Sequence, residues 1–364
     1  HVHAWGIPYM ATLLGVKQVY PGRYDPATLI TLIKNEGVTF SHCVPTILHM
    51  LLNAPEAQDA DCSRWKVIVG GSAMSPALAR QALDMGIDVF SVTGKGYRLA
   101  QPLTLLDKTT IIDQLTGQEL TPILEVHSLI DSTNSYLMRR IPHQVKQGQV
   151  VISEHQSAGR GRRGRQWVSP FGSHIYMSMY WYLEQGMSAA MGLSVVAALA
   201  VSDAIKNLYQ LDVQLKWPND IYLNKVKLAG ILIDLEGQAL EDCHSVIGIG
   251  LNIHMPTCAA SNIDQPWTDL QQHTTTPINR NNLTAELIKC LIKRLNQHKK
   301  YGIATMLDDW HKQDVYLNKA VKLITGEKET SGVCRGINNQ GALLLEVDQQ
   351  LKPIYGGEVS LREG

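Results

Sequence analysis

The sequence predicts an α+β fold: a mixed sheet with helices grouped between its strands, a small all-β unit after it and an α/β segment before it. Three observations carry that prediction. The middle of the chain sets alternating stretches such as "HIYMSMYWYL" beside long helical ones such as "NLTAELIKCLIKRLNQHKKY". Residues 315–364 hold only short strand-like runs between turns, the pattern of a small barrel. Residues 1 to about 88 mix strand-like and helix-like pieces.

Taken in order, "GVTFSHCVPTILHMLL" reads as a strand, a proline-started turn and a helix, with Pro45 where its missing N–H costs little. "WKVIVGGSAMSPALARQALDMG" reads as a buried strand, a Gly-Gly turn and a helix from about Ser75 to Gly86. "GQVVISEHQ" and "HIYMSMYWYL" are strands, and a long helix spans about 187–208. "DVQLKWP", "KLAGILIDLE" and "SVIGIGLNI" follow as strands, with a turn at "NDIYLNK". The amphipathic helix beginning "NLTAEL" has Asn282 or Thr284 near its cap. "AVKLITG", "ETSGVCRGI", "GALLLEV" and "GGEVSL" form the last unit, separated by turns at "NNQG" and "VDQQLK".

Composition excludes several classes. Lys plus Arg equals Asp plus Glu, 33 each, so no global field points to nucleic acid or membrane. The six cysteines contain no C-x-x-C, and buried reduced thiols of a cytoplasmic protein are expected. The charge-free run from Gln185 to Ser202 is too rich in Ala, Ser and Gly for lipid and predicts a buried helix. No signal peptide is visible, and a start at His1 fits a fragment. Neither a Ser-His-Asp arrangement nor metal-ligand spacing is present.

"GRGRRGRQW", residues 159–167, matches G-x-G-x-x-G literally. A dinucleotide loop needs a helix straight after it, and "RQWVSPFGSH" cannot supply one. A nucleic-acid face would spread its basic residues, whereas these stop at Arg165. Two readings remain: a solvated charged loop, or a Gly/Arg loop closing on a polyanion, with Trp167 covering a flat ring. Lys216 ends an apolar strand at Trp217-Pro218, either as a surface lysine or aimed beyond the sheet edge. "DSTN", 131–134, reads first as a helix cap. Lys227 opens a strand in which Gly230 marks a close approach, and Asn252 is an isolated polar residue in an apolar strand.

Together and in this order, "IDSTN", "GRGRRGRQWVSPFGSHIYMSMYW", "KWPNDIYL", "KLAGILID" and "GIGLNI" resemble the bacterial biotin protein ligases of the ligase/repressor type. The resemblance runs from about Gly86 to the C-terminus. It implies a biotin-ligase catalytic domain over 110–314 and an SH3-like β-barrel over 315–364. The reaction implied turns biotin and ATP, with Mg2+, into biotinyl-5′-AMP, then passes biotin to a lysine of the biotin carboxyl-carrier protein of acetyl-CoA carboxylase. By motif, biotin binding falls to Ser132, Thr133, Asn134, Gln156, Arg160, Gly161, Arg162 and Lys216, with Lys216 and Arg162 catalytic. ATP and the adenylate fall to Arg162, Trp167, Asn219, Lys227, Asn252 and Trp267, and Asp220 would help deprotonate the acceptor lysine. The family also implies a cytoplasmic, membrane-free enzyme and a homodimer.

The N-terminus departs from that type. Residues 86–107 look like the wing and connector of its winged helix-turn-helix, placed as a remnant over 89–109, but the DNA-reading helices before it are not recognisable. That weighs against operator DNA as a partner, and a biotin-responsive repressor of biotin genes stands as the alternative function. Residues 1–88 instead resemble an internal piece of a fatty-acid acyl-CoA synthetase, through "HVHAWGIPYMATLLGVKQVYPGRYDP", "VTFSHCVPTILHMLL" and "KVIVGGSAMSPALA". The phosphate loop, adenine motif and C-terminal lid of that family are missing, so no synthetase activity is expected. A recombination or assembly junction is expected at "DMGIDVF", 84–90.

Overall fold

The computed structural model describes residues 104–364 apart from short stretches (118–119, 144, 185–189, 191, 238–242, 261–262, 264, 327 and 356–358), and only segments of the first 103: 17–20, 22, 25–38, 40–52, 54, 66–69, 89–92 and 96–99. It divides into two compact units, 1–103 and 104–364. The first contains α1 (Pro26–Asn35), β1 (Phe40–Cys43), α2 (Pro45–Leu52) and β2 (Lys66–Val69), with β1 and β2 parallel. It also contains the hairpin β3 (Val89–Val92) and β4 (Gly96–Leu99), which falls within the stretch read as a wing. The helix expected from Ser75 to Gly86 lies outside the described residues.

The second unit begins with α3 (Lys108–Gln114), β5 (Leu124–His127), α4 (Thr133–Arg140), β6 (Val150–Ser153) and β7 (Ile175–Leu183). Then come α5 (Leu193–Tyr209), β8 (Gln214–Lys216), β9 (Asp220–Leu223), β10 (Val226–Gly237), β11 (Cys243–Leu251), α6 (Arg280–Tyr301) and α7 (Leu307–Gln313). The sheet order is β5-β6-β7-β11-β10-β9-β8; β5 and β6 are parallel and every other pair is antiparallel. This is the mixed α+β sheet the sequence predicts.

Period-two alternation divides the sheet into two faces. Ile175, Met177, Met179, Trp181, Ile247, Ile249, Leu251, Ile231, Ile221 and Leu215 all join the main core. Helices α5 and α6 supply that core's other side through residues such as Val196, Leu199, Leu287 and Leu291. Helix α5 is buried over most of its length because it lies inside this layer, which is why the charge-free run is so apolar. It starts at Leu193 rather than about 187. The intervening residues on the opposite face are mostly polar, small or aromatic, with Val151, Val246 and Leu232 among them. There only a small cluster, Leu137, Val151, Tyr180 and Val246, anchors α4.

Two expected turns prove to be strands. "NDIYLNK" contains β9, because Ile221 and Leu223 alternate into the core and the reversal shrinks to Asn224-Lys225, both at positive φ (52° and 65°). "VDQQLK" reverses at Asp348-Gln349 (φ 51° and 60°) and leads into β15 (Gln350–Ile354). Its first four residues are exposed, so no apolar alternation marks it. With β12 (Ala320–Thr325), β13 (Lys328–Ile337), β14 (Leu343–Val347) and β16 (Val359–Glu363) it makes an antiparallel five-stranded sheet of order β15-β14-β13-β12-β16. Helix α6 is capped by Asn279, whose side chain accepts from the Asn282 N–H at 3.1 Å, three residues before the nearer expected cap.

Candidate active site

The polar face of the sheet is ranked by its register. Tyr176 pairs with Gly250, Gly250 with Gly230, Gly230 with Asp220, and Asp220 with Lys216. The next row runs Ser178, Gly248, Leu232, and the one beyond it Tyr180, Val246, Asp234. A cleft of about 660 Å3 opens over these rows. Every candidate residue named from the sequence lines it, from Ser132 on α4 to Trp267 in the loop after β11.

Its floor is the start of α4. Ser132 is the cap, its hydroxyl facing the Ser135 N–H at 3.4 Å, so the capping reading of "DSTN" is correct. The same turn also presents a network. The Gln156 carbonyl accepts from the Thr133 N–H at 3.0 Å and the Thr133 hydroxyl at 3.2 Å, and its amide donates to Ser169 at 3.2 Å. Asn134 donates to the Leu232 carbonyl at 3.1 Å and to Asp234 at 3.0 Å, and accepts from Ser178 at 2.6 Å. Ser132, Thr133 and Asn134 are all buried, so these polar groups are fixed in orientation.

The arginine loop folds into a small hairpin. The Trp167 N–H donates to the Gly159 carbonyl at 2.8 Å and the Gly161 N–H to the Arg165 carbonyl at 2.7 Å, and Arg163 takes the left-handed turn at the tip (φ 59°). Arg160 ion-pairs with Asp234, and Arg162 donates to Asn219 at 2.9 Å. The Trp167 ring packs against the two paired glycines. A Cβ on Gly250 would be 2.5 Å from its Cε2, and one on Gly230 would be 3.0 Å from its Cζ3. Gly230 therefore marks a close approach, of a side chain. The Trp167 indole nitrogen is buried without a partner. Burial lowers the Arg162 pKa, with the nearby Asp220 charge opposing that shift.

The two lysines stand differently. Lys227 Nζ is 2.7 Å from Asp220 and 5.6 Å above the Trp167 ring. Lys216 Nζ donates to the Tyr222 hydroxyl at 3.0 Å and lies over the Tyr222 and Tyr316 rings. Asn252 is the satisfied core residue its setting suggested: its amide donates to the Thr268 carbonyl at 3.1 Å. That bond helps hold the loop that brings Trp267 beside Lys227. Sequence reasoning missed Asp234 and Arg362. Arg362 reaches the cleft from β16 of the C-terminal sheet, and no motif near it signals the role. Among the described residues, no three His, Cys, Asp or Glu side chains gather as a metal site. No helix among them is long and apolar enough to cross a membrane.

Residues 126–252 match the family model of the biotin/lipoate A/B protein ligase family, and 316–362 match the biotin protein ligase C-terminal domain. Over 279 residues the chain is 47% identical to the bifunctional ligase/repressor BirA of Escherichia coli, covering 77% of this chain and 85% of that protein. Identity to the biotin–[acetyl-CoA-carboxylase] ligase of Mycobacterium tuberculosis is 31% over 269 residues, 72% of this chain and 97% of that one. The Aquifex aeolicus biotin protein ligase, solved with biotin and ATP, superposes with a TM-score of 0.57 at 26% identity, over 66% of this chain and 99% of that one. Residues 1–97 match a separate family, the AMP-binding enzymes. There a Thermus thermophilus long-chain-fatty-acid–CoA ligase is 42% identical over 103 residues, 28% of this chain and 18% of that ligase.

Proposed function

This chain belongs to the biotin protein ligase family, and from that premise we propose how its cleft activates biotin with ATP and passes it to a carrier protein. The observation that carries the reading is the closure of the arginine hairpin over one cross-sheet row that holds Gly250, Gly230, Asp220 and Lys216. That arrangement offers fixed hydrogen-bonding groups at one end and concentrated positive charge at the other.

Biotin's ureido ring would bind at the floor, where Ser132, Thr133, Asn134 and Gln156 supply donors and acceptors. Its carboxylate attacks the α-phosphorus of ATP; the new P–O bond replaces the bond to the leaving pyrophosphate. Two anions must meet, so cations at the reacting centre lower the barrier. Arg162, Lys216 and Lys227 are those cations. Of the lysines, Lys216 has the stronger claim, because its partner is the neutral Tyr222 hydroxyl while the Lys227 charge is already paired with Asp220. Trp267 and Asn252 border the adenine end, and Arg362 adds a charge from the C-terminal sheet. In the second step the acceptor lysine's amine attacks the acyl carbon and AMP leaves. Asp220 takes the proton that the amine must lose.

Mg2+ would supply neutralisation of the ATP phosphates. Asp220, already shared with Lys227, is the carboxylate lining the cleft, which suits an ion held mainly by phosphate and water. The acceptor we propose is the biotin carboxyl-carrier protein of acetyl-CoA carboxylase, supported by the mycobacterial relative's name. The buried free thiols Cys243, Cys290 and Cys334 fit a cytoplasmic setting. No synthetase activity is proposed for residues 1–97.

The test incubates the enzyme with biotin, ATP and a purified carrier domain and reads the carrier's intact mass. One biotinyl group gained, only with both ATP and biotin, is expected. No gain, or a gain that does not need ATP, overturns the reading.

A further inference from the structure

Asp234 belongs to no motif, yet it joins the two halves of the cleft. It lies on β10, on the same face as Gly230 and Leu232. One carboxylate oxygen, Oδ2, accepts from both Arg160 Nη2 in the hairpin and Asn134 Nδ2 in the floor. Its side chain is 21% exposed, so the pair with Arg160 is only partly screened by solvent. We propose that Asp234 is a positioning residue that latches the arginine hairpin shut over the activated biotin; the proposal rests on the ligase reading above.

Three attachments of the hairpin bear on its closure, beside the Lys227 ammonium over the Trp167 ring. Two of them, Arg162 to Asn219 and Trp167 over Gly230 and Gly250, are made by groups that the ligand itself engages. Arg160 to Asp234 is the ion pair among them. It also divides labour among the arginines. With its charge neutralised by Asp234, Arg160 acts as a strut, and Arg162 is left to face phosphate. Removing Asp234 would spare most of the floor, since Asn134 keeps Leu232 and Ser178. The latch and the binding site are therefore separable.

A mixed anhydride that escapes acylates any amine or is hydrolysed, so holding the lid matters most after the first step. Loss of one charge-assisted hydrogen bond should speed release of the adenylate by on the order of tenfold.

The experiment uses the full chain with Asp234→Asn and Asp234→Glu. Three quantities are measured: biotin-dependent ATP–pyrophosphate exchange, the rate at which preformed biotinyl-adenylate leaves during a chase with unlabelled biotin, and tryptic cleavage within the hairpin when biotin and ATP are present. Asp234→Asn should keep exchange within a few-fold, release adenylate faster and lose hairpin protection. Asp234→Glu, with the carboxylate restored, should match the unmodified protein. Asp234→Ser, which also lacks the carboxylate, repeats the test if the amide lowers the melting temperature. Unchanged release and protection in the variants lacking the carboxylate overturns the latch. Absence of biotin-dependent exchange in the unmodified protein would instead overturn the ligase reading.

Discussion

Gly248→Ala separates this account of the floor from a purely structural one. Gly248 lies mid-strand in β11, and alanine there would ordinarily be neutral or stabilising by roughly 0.5–1 kcal/mol, because glycine loses more entropy on folding. Here an added Cβ would overlap the Asn134 carbonyl oxygen and lie 2.8 Å from its Cγ and 3.0 Å from its Nδ2. Asn134 would have to retreat and leave its bonds to Ser178, Leu232 and Asp234. At about 1 kcal/mol net for each bond, up to about 3 kcal/mol of floor organisation is at stake. Biotin affinity should therefore fall by between about tenfold and a hundredfold. Calorimetric titration with biotin, paired with thermal unfolding, reads both effects. Unchanged affinity in a folded Gly248→Ala protein would refute the reasoning.

Other residues give independent tests. His174 is fully buried, and that burial holds its pKa down to about 3. The unfolded chain binds a proton near pH 6.5 and the folded imidazole does not, so stability is full above about pH 7 and falls as pH drops below about 6.5. Between pH 7.5 and 5.0 this group should cost about 2 kcal/mol. His174→Asn, which can still accept from the Ile253 N–H, should flatten that part of a urea-midpoint profile; an unchanged slope contradicts the assignment. Glu154 and Arg280 form a buried ion pair at 2.7 Å, and between them they bind the backbone at Thr104, Leu106 and His174. Arg280→Met should cost about 3–5 kcal/mol in unfolding free energy, and Arg280→Met with Glu154→Leu clearly less, since only the single change strands a buried charge. Equal losses would argue against the pair. Trp267→Ala should raise the KM for ATP more than that for biotin, measured by steady-state exchange; equal rises would place Trp267 elsewhere.

The sheet was legible wherever large apolar residues alternate with polar, small or aromatic ones, even where both faces are buried. Ile175, Met177, Met179 and Trp181 of β7 and Ile247, Ile249 and Leu251 of β11 enter the core at every second position, so the alternation is written in the chain. Strand β15 left no such trace, because most of it is exposed and only its turn and its pairing with β14 define it. The candidate site was legible as motifs and illegible as geometry. "DSTN" reads correctly as a cap, and nothing local shows that Asn134 reaches Asp234, 100 residues on. The Glu154–Arg280 pair spans 126 residues, and Arg362 comes from another sheet. Such contacts arise from register and packing, which single-sequence patterns do not encode. The glycines are the exception: Gly230 is conspicuous inside a strand, and what approaches it is Trp167.

The central claim is that one cleft joins biotin to ATP, with cations beneath the arginine hairpin offsetting the meeting of two anions. ATP–pyrophosphate exchange, run with and without biotin beside Arg162→Ala, Lys216→Ala and Lys227→Ala, tests it most directly. Exchange should require biotin and fall by about a hundredfold or more in Arg162→Ala and Lys216→Ala, with a smaller loss in Lys227→Ala, whose charge is already paired with Asp220. Exchange indifferent to biotin, or unaltered in all three variants, would contradict the account.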